Sequence, residues 1–155
     1  MKEILPKFKL NESYDKIIVV DPGKNAVKVL VFDTQYNLLD KYSFPSKTKQ
    51  KRNFADIDGS SKRQYKVEFD GIKYLVGEGI QGLYDFQTTK NNLHHKLCIY
   101  TAIANSVVKK DERIYLLAGY PSSDFTNTNQ LNDYKELINS IERIEFEING
   151  ECKSF

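Results

Sequence analysis

Four apolar residues, Ile17 to Val20, run into Asp21. The loop Asp21-Pro22-Gly23-Lys24-Asn25 breaks the run, and Val27, Val29, Val31 and Phe32 resume it. This pattern predicts strand, tight loop, strand. A polar turn, Thr34 to Asn37, leads into a third strand from Leu38 to Phe44, and Pro45, with no amide hydrogen to donate to a ladder, ends the meander. Residues Ser46 to Arg63 turn polar and basic, with Lys47, Lys49, Lys51 and Arg52 close together and Gly59, Ser60 and Ser61 beyond, and read as a solvated, mobile loop. Alternation then returns from Tyr65 to Val76 about Asp70-Gly71, a strong signal for a two-residue hairpin turn. The inserted stretch therefore carries a small sheet of its own.

Helical spacing appears next. Leu93, Leu97, Tyr100, Ala104 and Val107 fall on one stripe, widened by Ile99 and Ile103, which predicts an apolar helix packed on a sheet. Ile114 to Ala118 is a short continuous apolar run of the kind found in buried central strands, and Gly119 and Pro121 stop it. A second amphipathic helix is marked by Leu131, Tyr134, Leu137, Ile138 and Ile141. Ile144, Phe146 and Ile148 alternate with Glu145 and Glu147 up to Asn149-Gly150, a second hairpin signal, and a return strand begins at Glu151.

The first loop carries the most chemistry. Gly23 lets the backbone approach a ligand with no Cβ in the way, and consecutive amides in such a turn, from Gly23 through Lys24 and Asn25 to Ala26, can converge on an anion. Lys28 adds a point charge beside them. A carboxylate repels a bare phosphate, so Asp21 at the strand's end suggests a bridging Mg²⁺ with its water shell. Asp, Pro, Gly and Asn are equally ordinary turn residues, so the residues alone leave a ligand-free hairpin open.

Composition narrows the class without deciding it. A chain of 155 residues, 40% apolar, can bury one core and little more. Its formal charge of +2 is too small to argue for nucleic acid or membrane. Direct nucleic-acid binding is not expected, since the basic stretch from Lys47 to Arg63 has few interleaved aromatics. Cys98 and Cys152 have no metal-ligand spacing, and their sparse use suggests a reducing cytoplasm. No stretch approaches the roughly 18 apolar residues of a membrane span, and the first residues lack the apolar core of a signal peptide.

Three other clusters are read as structural. His94 and His95 are adjacent on a helix, so their side chains diverge by about 100° and cannot share one metal with good geometry. Ser122, Ser123 and Asp124 have no histidine placed to serve them and are read as helix-capping residues. Glu78, between Gly77 and Gly79, is assigned to turn and packing chemistry.

Asp-x-Gly-x-x-x-x-Lys between two apolar strands, here Asp21 to Lys28, resembles the first phosphate loop of the actin-like ATPases, the superfamily that also holds sugar kinases and DnaK-type chaperones. YLVGEGI, Tyr74 to Ile80, looks like the strand by which the inserted subdomain returns in the ParM/StbA branch of plasmid-segregation proteins. TTKNNLHHKLCIYTAIANSV, Thr88 to Val107, is similar to that branch's first long helix, and LLAGYPSSDF, Leu116 to Phe125, to its following strand ending in Gly-x-Pro. The resemblance implies an α/β fold: a ribonuclease H-like N-terminal domain of the actin-like ATPases with a small β-rich inserted subdomain. Its parts would be an N-terminal extension, 1–16, a core lobe, 17–44 and 89–155, and an insertion, 45–88. It further implies ATP or GTP with Mg²⁺ as ligands of the complete protein, self-association into filaments, and a DNA-bound, ParR-like adaptor for plasmid segregation. Asp21 would face the metal, Gly23 and the amides to Ala26 the phosphates, and Lys28 would reach them. Lys24 and Asn25 depart from the pattern, where relatives commonly carry Ser, Thr or Gly. The chain stops at Phe155 inside a predicted strand, before a second phosphate loop, so a fragment completed by a C-terminal half or a partner chain is expected, inactive alone. A non-catalytic actin-like module that caps a partner, and part of a sugar kinase-type ATPase, are the alternative readings.

Overall fold

A computed structural model describes residues 13–54, 62–81, 91–107, 111–120, 126–140, 144–148 and 151–154. Thr88 to Lys90, Pro121 to Phe125, Ile141, Asn149-Gly150 and most of the expected N-terminal extension lie outside them. Among the described residues, nine strands and two helices follow in the order β1 (Lys16–Pro22), β2 (Ala26–Phe32), β3 (Leu38–Pro45), β4 (Thr48–Lys51), β5 (Gln64–Phe69), β6 (Ile72–Gly77), α1 (Leu93–Ser106), β7 (Ile114–Ala118), α2 (Thr128–Asn139), β8 (Ile144–Ile148) and β9 (Glu151–Ser154).

The strands form two sheets, one ordered β3-β2-β1-β7 and the other β4-β6-β5-β8-β9. In the first, β1, β2 and β3 make the expected antiparallel meander and β7 adds to β1 in parallel. Alternation puts Ile18, Val20, Val27, Val29, Val31 and Phe44 on the inner face, where each is at most 2% exposed. Cross-strand pairs bring them together, Ile18 opposite Val31, Val20 opposite Val29 and Val27 opposite Phe44. The hairpin between β5 and β6 turns at Asp70 and Gly71, with φ of 51° and 71°. Two positive φ angles in a two-residue loop match the right-handed twist of its strands.

Helix α1 lies between the sheets. It touches β1 and β2 on one side and β4, β5, β6 and β8 on the other. The sequence stripe predicts one packed face, yet burial runs almost all round the helix, from Leu97 and Ile99 to Thr101 and Ser106. Its buried hydroxyls make this possible by bonding within the helix: Thr101 Oγ1 donates to the Leu97 carbonyl at 2.7 Å and Ser106 Oγ to that of Ala102 at 2.8 Å. Leu93, placed on the stripe by spacing, is 36% exposed at the first turn. Asn92 caps that turn, its side chain accepting from the His95 amide at 3.0 Å. Helix α2 is strapped to α1 through Tyr100, which donates to the Ile138 carbonyl at 2.6 Å, and through Lys96, whose Nζ meets Ser140 Oγ at 2.6 Å.

Three elements differ from their sequence expectation. Thr48–Lys51, expected in a mobile loop, is an edge strand paired with β6. Backbone pairing carries it where no apolar alternation announces it, and its lysines suit an open sheet edge. The β8–β9 hairpin, grouped by the sequence with the core lobe, hydrogen-bonds to β5 in the second sheet, with Val67 opposite Phe146 and Lys66 opposite Glu147. There Phe146 is 2% exposed, and Lys66 Nζ reaches Glu147 Oε1 at 2.8 Å. Strand β7, expected in a buried central position, sits at the end of its sheet among the described residues and is half-buried along its whole length. An apolar strand is fully buried only when both its faces are covered.

Candidate functional site

The loop between β1 and β2 stands at the end of the meander where β7 also ends. Register sets Asp21 directly opposite Lys28 and Pro22 opposite Val27. Only Gly23, Lys24 and Asn25 remain to reverse the chain. Lys28 Nζ lies 3.9 Å from Asp21 Oδ2, and both side chains are well exposed. A pair so placed contributes no more than about 1 kcal/mol to stability, which leaves both groups available to a ligand.

The turn is tight. The Gly23 amide donates to the Asp21 carbonyl at 2.9 Å. A Cβ on Gly23 would stand 2.9 Å from the Ala26 carbonyl oxygen, closer than a side chain tolerates. Parallel pairing of β7 with β1 then delivers Gly119 to the same place, where its amide donates to the Val20 carbonyl at 2.8 Å. A Cβ there would come within 3.4 Å of Asp21 Oδ1. Space beside the carboxylate is therefore kept open by the absence of a side chain. Tyr134 of α2 reaches the Gly119 carbonyl through its hydroxyl, at 3.4 Å.

Behind the loop, the chain passing from β3 to β4 supplies Ser46, which is 3% exposed. Its Oγ donates to the Gly23 carbonyl at 2.5 Å and its amide to the Asn25 carbonyl at 3.1 Å. In front, an open groove of about 680 Å³ extends from Asp21 and Lys28 across Leu30, Lys41 and Ser43 to Arg63.

The residues read from the sequence as one loop, Asp21, Gly23, Lys24, Asn25, Ala26 and Lys28, thus do come together. Lys24 and Asn25 are exposed at its tip. Ser46 and Gly119 were not legible as partners, because each arrives by strand pairing from a distant part of the chain. The pairing of Ala26 with Pro45 is what sets Ser46 against Asn25. A Gly after an apolar run was the one available signal for Gly119.

The remaining candidates fall elsewhere. His94 Nδ1 is 2.9 Å from Thr48 Oγ1, tying α1 to the edge strand, and His95 is buried with Nδ1 3.3 Å from Asn92 Oδ1. Glu78 lies 3.6 Å from Arg63 and accepts through its carbonyl from Gln64 Nε2 at 2.9 Å. Cys98, buried, and Cys152, exposed, form no disulfide among the described residues. Among the described residues no three His, Cys, Asp or Glu side chains cluster to hold a metal. Ser122 to Asp124 lie outside the described residues.

A meander extended in parallel by β7, with α1 on its inner face and strands β4 to β6 of a second sheet inserted between β3 and α1, defines the class: a mixed α/β domain with the fold of the actin-like proteins. The family described as the N-terminal domain of actin-like proteins matches residues 20–155, and the chain belongs to that family. Solved structures agree in fold. Apo ParM of pSK41 superposes with a TM-score of 0.66 at 19% identity, covering 92% of this chain and 47% of that one. The Alp12 filament structure gives 0.64 at 29% identity, with 92% and 44% covered, and the AlfA filament from the Bacillus subtilis plasmid pLS32 gives 0.65 at 18%, with 90% and 52%. The chain therefore spans about half the length of these relatives. No curated protein matches it.

Proposed function

We propose that this chain is the nucleotide-gripping N-terminal lobe of a ParM-like actin homologue, which binds ATP or GTP with Mg²⁺ between two domains and assembles into filaments that segregate plasmids through a DNA-bound, ParR-like adaptor. The observation that carries the reading is the pairing of Lys28 with Asp21 across a glycine loop, at the strand end where Gly119 leaves room. Lys28 and the loop amides face anionic oxygen, while Asp21, as a single carboxylate, suits a Mg²⁺ that keeps most of its waters and arrives with the phosphates. The Alp12 and AlfA structures are filaments, and one AlfA filament is bound to AMPPNP. The core lobe, 17–44 with the segment from 89, and the insertion, 45–88, keep their roles in this proposal, with the β8–β9 hairpin added to the insertion's sheet. A cytoplasmic setting goes with the reading; no helix among the described residues is long and apolar enough to cross a membrane.

Phosphoryl transfer needs positioning and charge from both sides of the phosphate chain, and one loop supplies one side. The isolated chain is therefore expected to bind MgATP weaker than micromolar and to show no turnover. Titration of the labelled chain with MgATP, followed by the amide resonances of residues 23–28, tests the site. Saturable shifts that disappear in Lys28→Ala support it, and shifts that ignore that substitution refute it. Micromolar affinity or turnover by this chain alone would refute the division of labour.

A non-catalytic module that caps a partner chain is the second reading. It is favoured by the half-buried apolar outer side of the first sheet, with Val19 and Leu30 beside the groove. Sedimentation with and without ATP separates the two readings. Nucleotide-dependent assembly supports the filament protein, and a fixed complex with a second chain supports the module.

A further inference from the structure

We propose that Ser46 is a positioning residue of the nucleotide loop, one that holds two loop carbonyls back so that the intervening amides face the ligand; the proposal rests on the reading of residues 21–28 as an anion site. Ser46 lies outside the loop motif and is reached only through the β2–β3 register.

A trans peptide is planar, with its carbonyl and its N–H pointing in opposite directions. Among the described residues every peptide is trans. With the Gly23 carbonyl fixed on Ser46 Oγ, the Lys24 amide of the same unit points away from β3. With the Asn25 carbonyl fixed on the Ser46 amide, the Ala26 amide points the same way. One residue thereby orients two N–H groups to the side opposite itself and withdraws two partial negative charges from that side. An anion at the loop then meets donors rather than carbonyl oxygens, and it meets them already oriented.

The hydroxyl is the critical half. Any residue at position 46 except proline could supply the backbone amide that holds Asn25. The unit between Gly23 and Lys24 is the one most prone to rotate, since glycine tolerates most backbone angles, and it is this unit that the Ser46 hydroxyl restrains. Ser46 is itself anchored from the other side. The Lys47 amide donates to the Pro45 carbonyl at 2.8 Å, and the Lys47 carbonyl accepts from Gly77 at 2.9 Å, fixing the crossing chain to the end of β6. At 3% exposure the serine is shielded from solvent.

Ser46→Ala deletes the hydroxyl and little volume, and Ser46→Thr retains it. The labelled full chain would be titrated with MgATP and, separately, with pyrophosphate, reading the amide resonances of Lys24 and Ala26 alongside a thermal melt. Removing one restraint of hydrogen-bond strength is expected to weaken both ligands about five- to tenfold in Ser46→Ala, with Ser46→Thr remaining within about threefold of wild type. Wild-type affinity in Ser46→Ala, or a weakening shared equally by Ser46→Thr, would overturn the proposal. An absence of saturable shifts in the wild type at about 10 mM ligand would overturn the loop reading itself and this proposal with it.

Discussion

Replacing Phe146 by alanine tests the least anticipated part of the architecture. Phe146 belongs to β8, pairs with Val67 and is 2% exposed, so the structure makes it part of the core shared by α1 and the second sheet. A buried aromatic side chain removes roughly 150–250 Å² from water, and at about 25 cal/mol per Å² the transfer term is ~4–6 kcal/mol. The unfolded chain already hides some of that area, while the cavity left behind adds a cost, and the two corrections bring the expected loss to about 3–5 kcal/mol. Domains of this size are stable by only about 5–15 kcal/mol, so the variant should sit near the edge of folding. Urea unfolding followed by circular dichroism should show the midpoint falling with the slope unchanged, and the melting temperature dropping by roughly 6–20 °C. Leu39→Ala is the control. Leu39 is 54% exposed at the start of β3 and its truncation should cost less than about 0.5 kcal/mol. A loss below 1 kcal/mol in Phe146→Ala would mean that β8 is not packed on the second sheet, and the pairing with β5 would have to be abandoned.

Two further tests address the site and its support. Gly119→Ala should leave stability within about 1 kcal/mol, since a Cβ makes ordinary contacts of 3.4 Å with Asp21 Oδ1 and 3.7 Å with Pro22, whereas Gly119→Val should lose about 1–3 kcal/mol as its methyls push the carboxylate aside; equal urea midpoints for the two variants would refute the crowding. Burial pushes the phenols of Tyr65 and Tyr134 up to about 12, with Tyr42 beside the first and Tyr120 beside the second adding to the shift. Because the folded values lie above the unfolded value of 10.0, the stability involved is fully present below pH 10 and is lost as pH rises toward 12. Absorbance at the tyrosinate band should register their ionisation together with unfolding in that window, and ionisation of all ten tyrosines near pH 10 in a folded chain would contradict their burial.

Much of the first sheet was legible because its information is local. The run from Ile17 to Val20, the break at Asp21 to Asn25 and the restart at Val27 specify two strands and their register at once, since a slip of one residue would turn Ile18, Val20, Val29 and Val31 out of the core. Asp70-Gly71 needed only its own backbone preference to become a hairpin. The loop motif was equally local, and it stated which residues could face a phosphate. Thr48–Lys51 was illegible for the opposite reason: an edge strand held by backbone hydrogen bonds leaves little mark on side-chain pattern.

What the sequence determined by itself was therefore most of the elements and the first sheet's inner face, together with the order of residues in the Asp21–Lys28 loop, all of which depend on neighbours within a few residues. Tertiary structure decided the rest. It placed α1 between two sheets, so that polar Thr101 and Ser106 are buried along with Leu97 and Ile99, and it carried β8 across to pair with β5, with β9 following on the far side of β8. It also brought Ser46 behind the loop and Gly119 beside Asp21. Those positions are joined by hydrogen bonds and close approach between segments remote in sequence, and no periodicity along one chain encodes which strand edge will meet which loop.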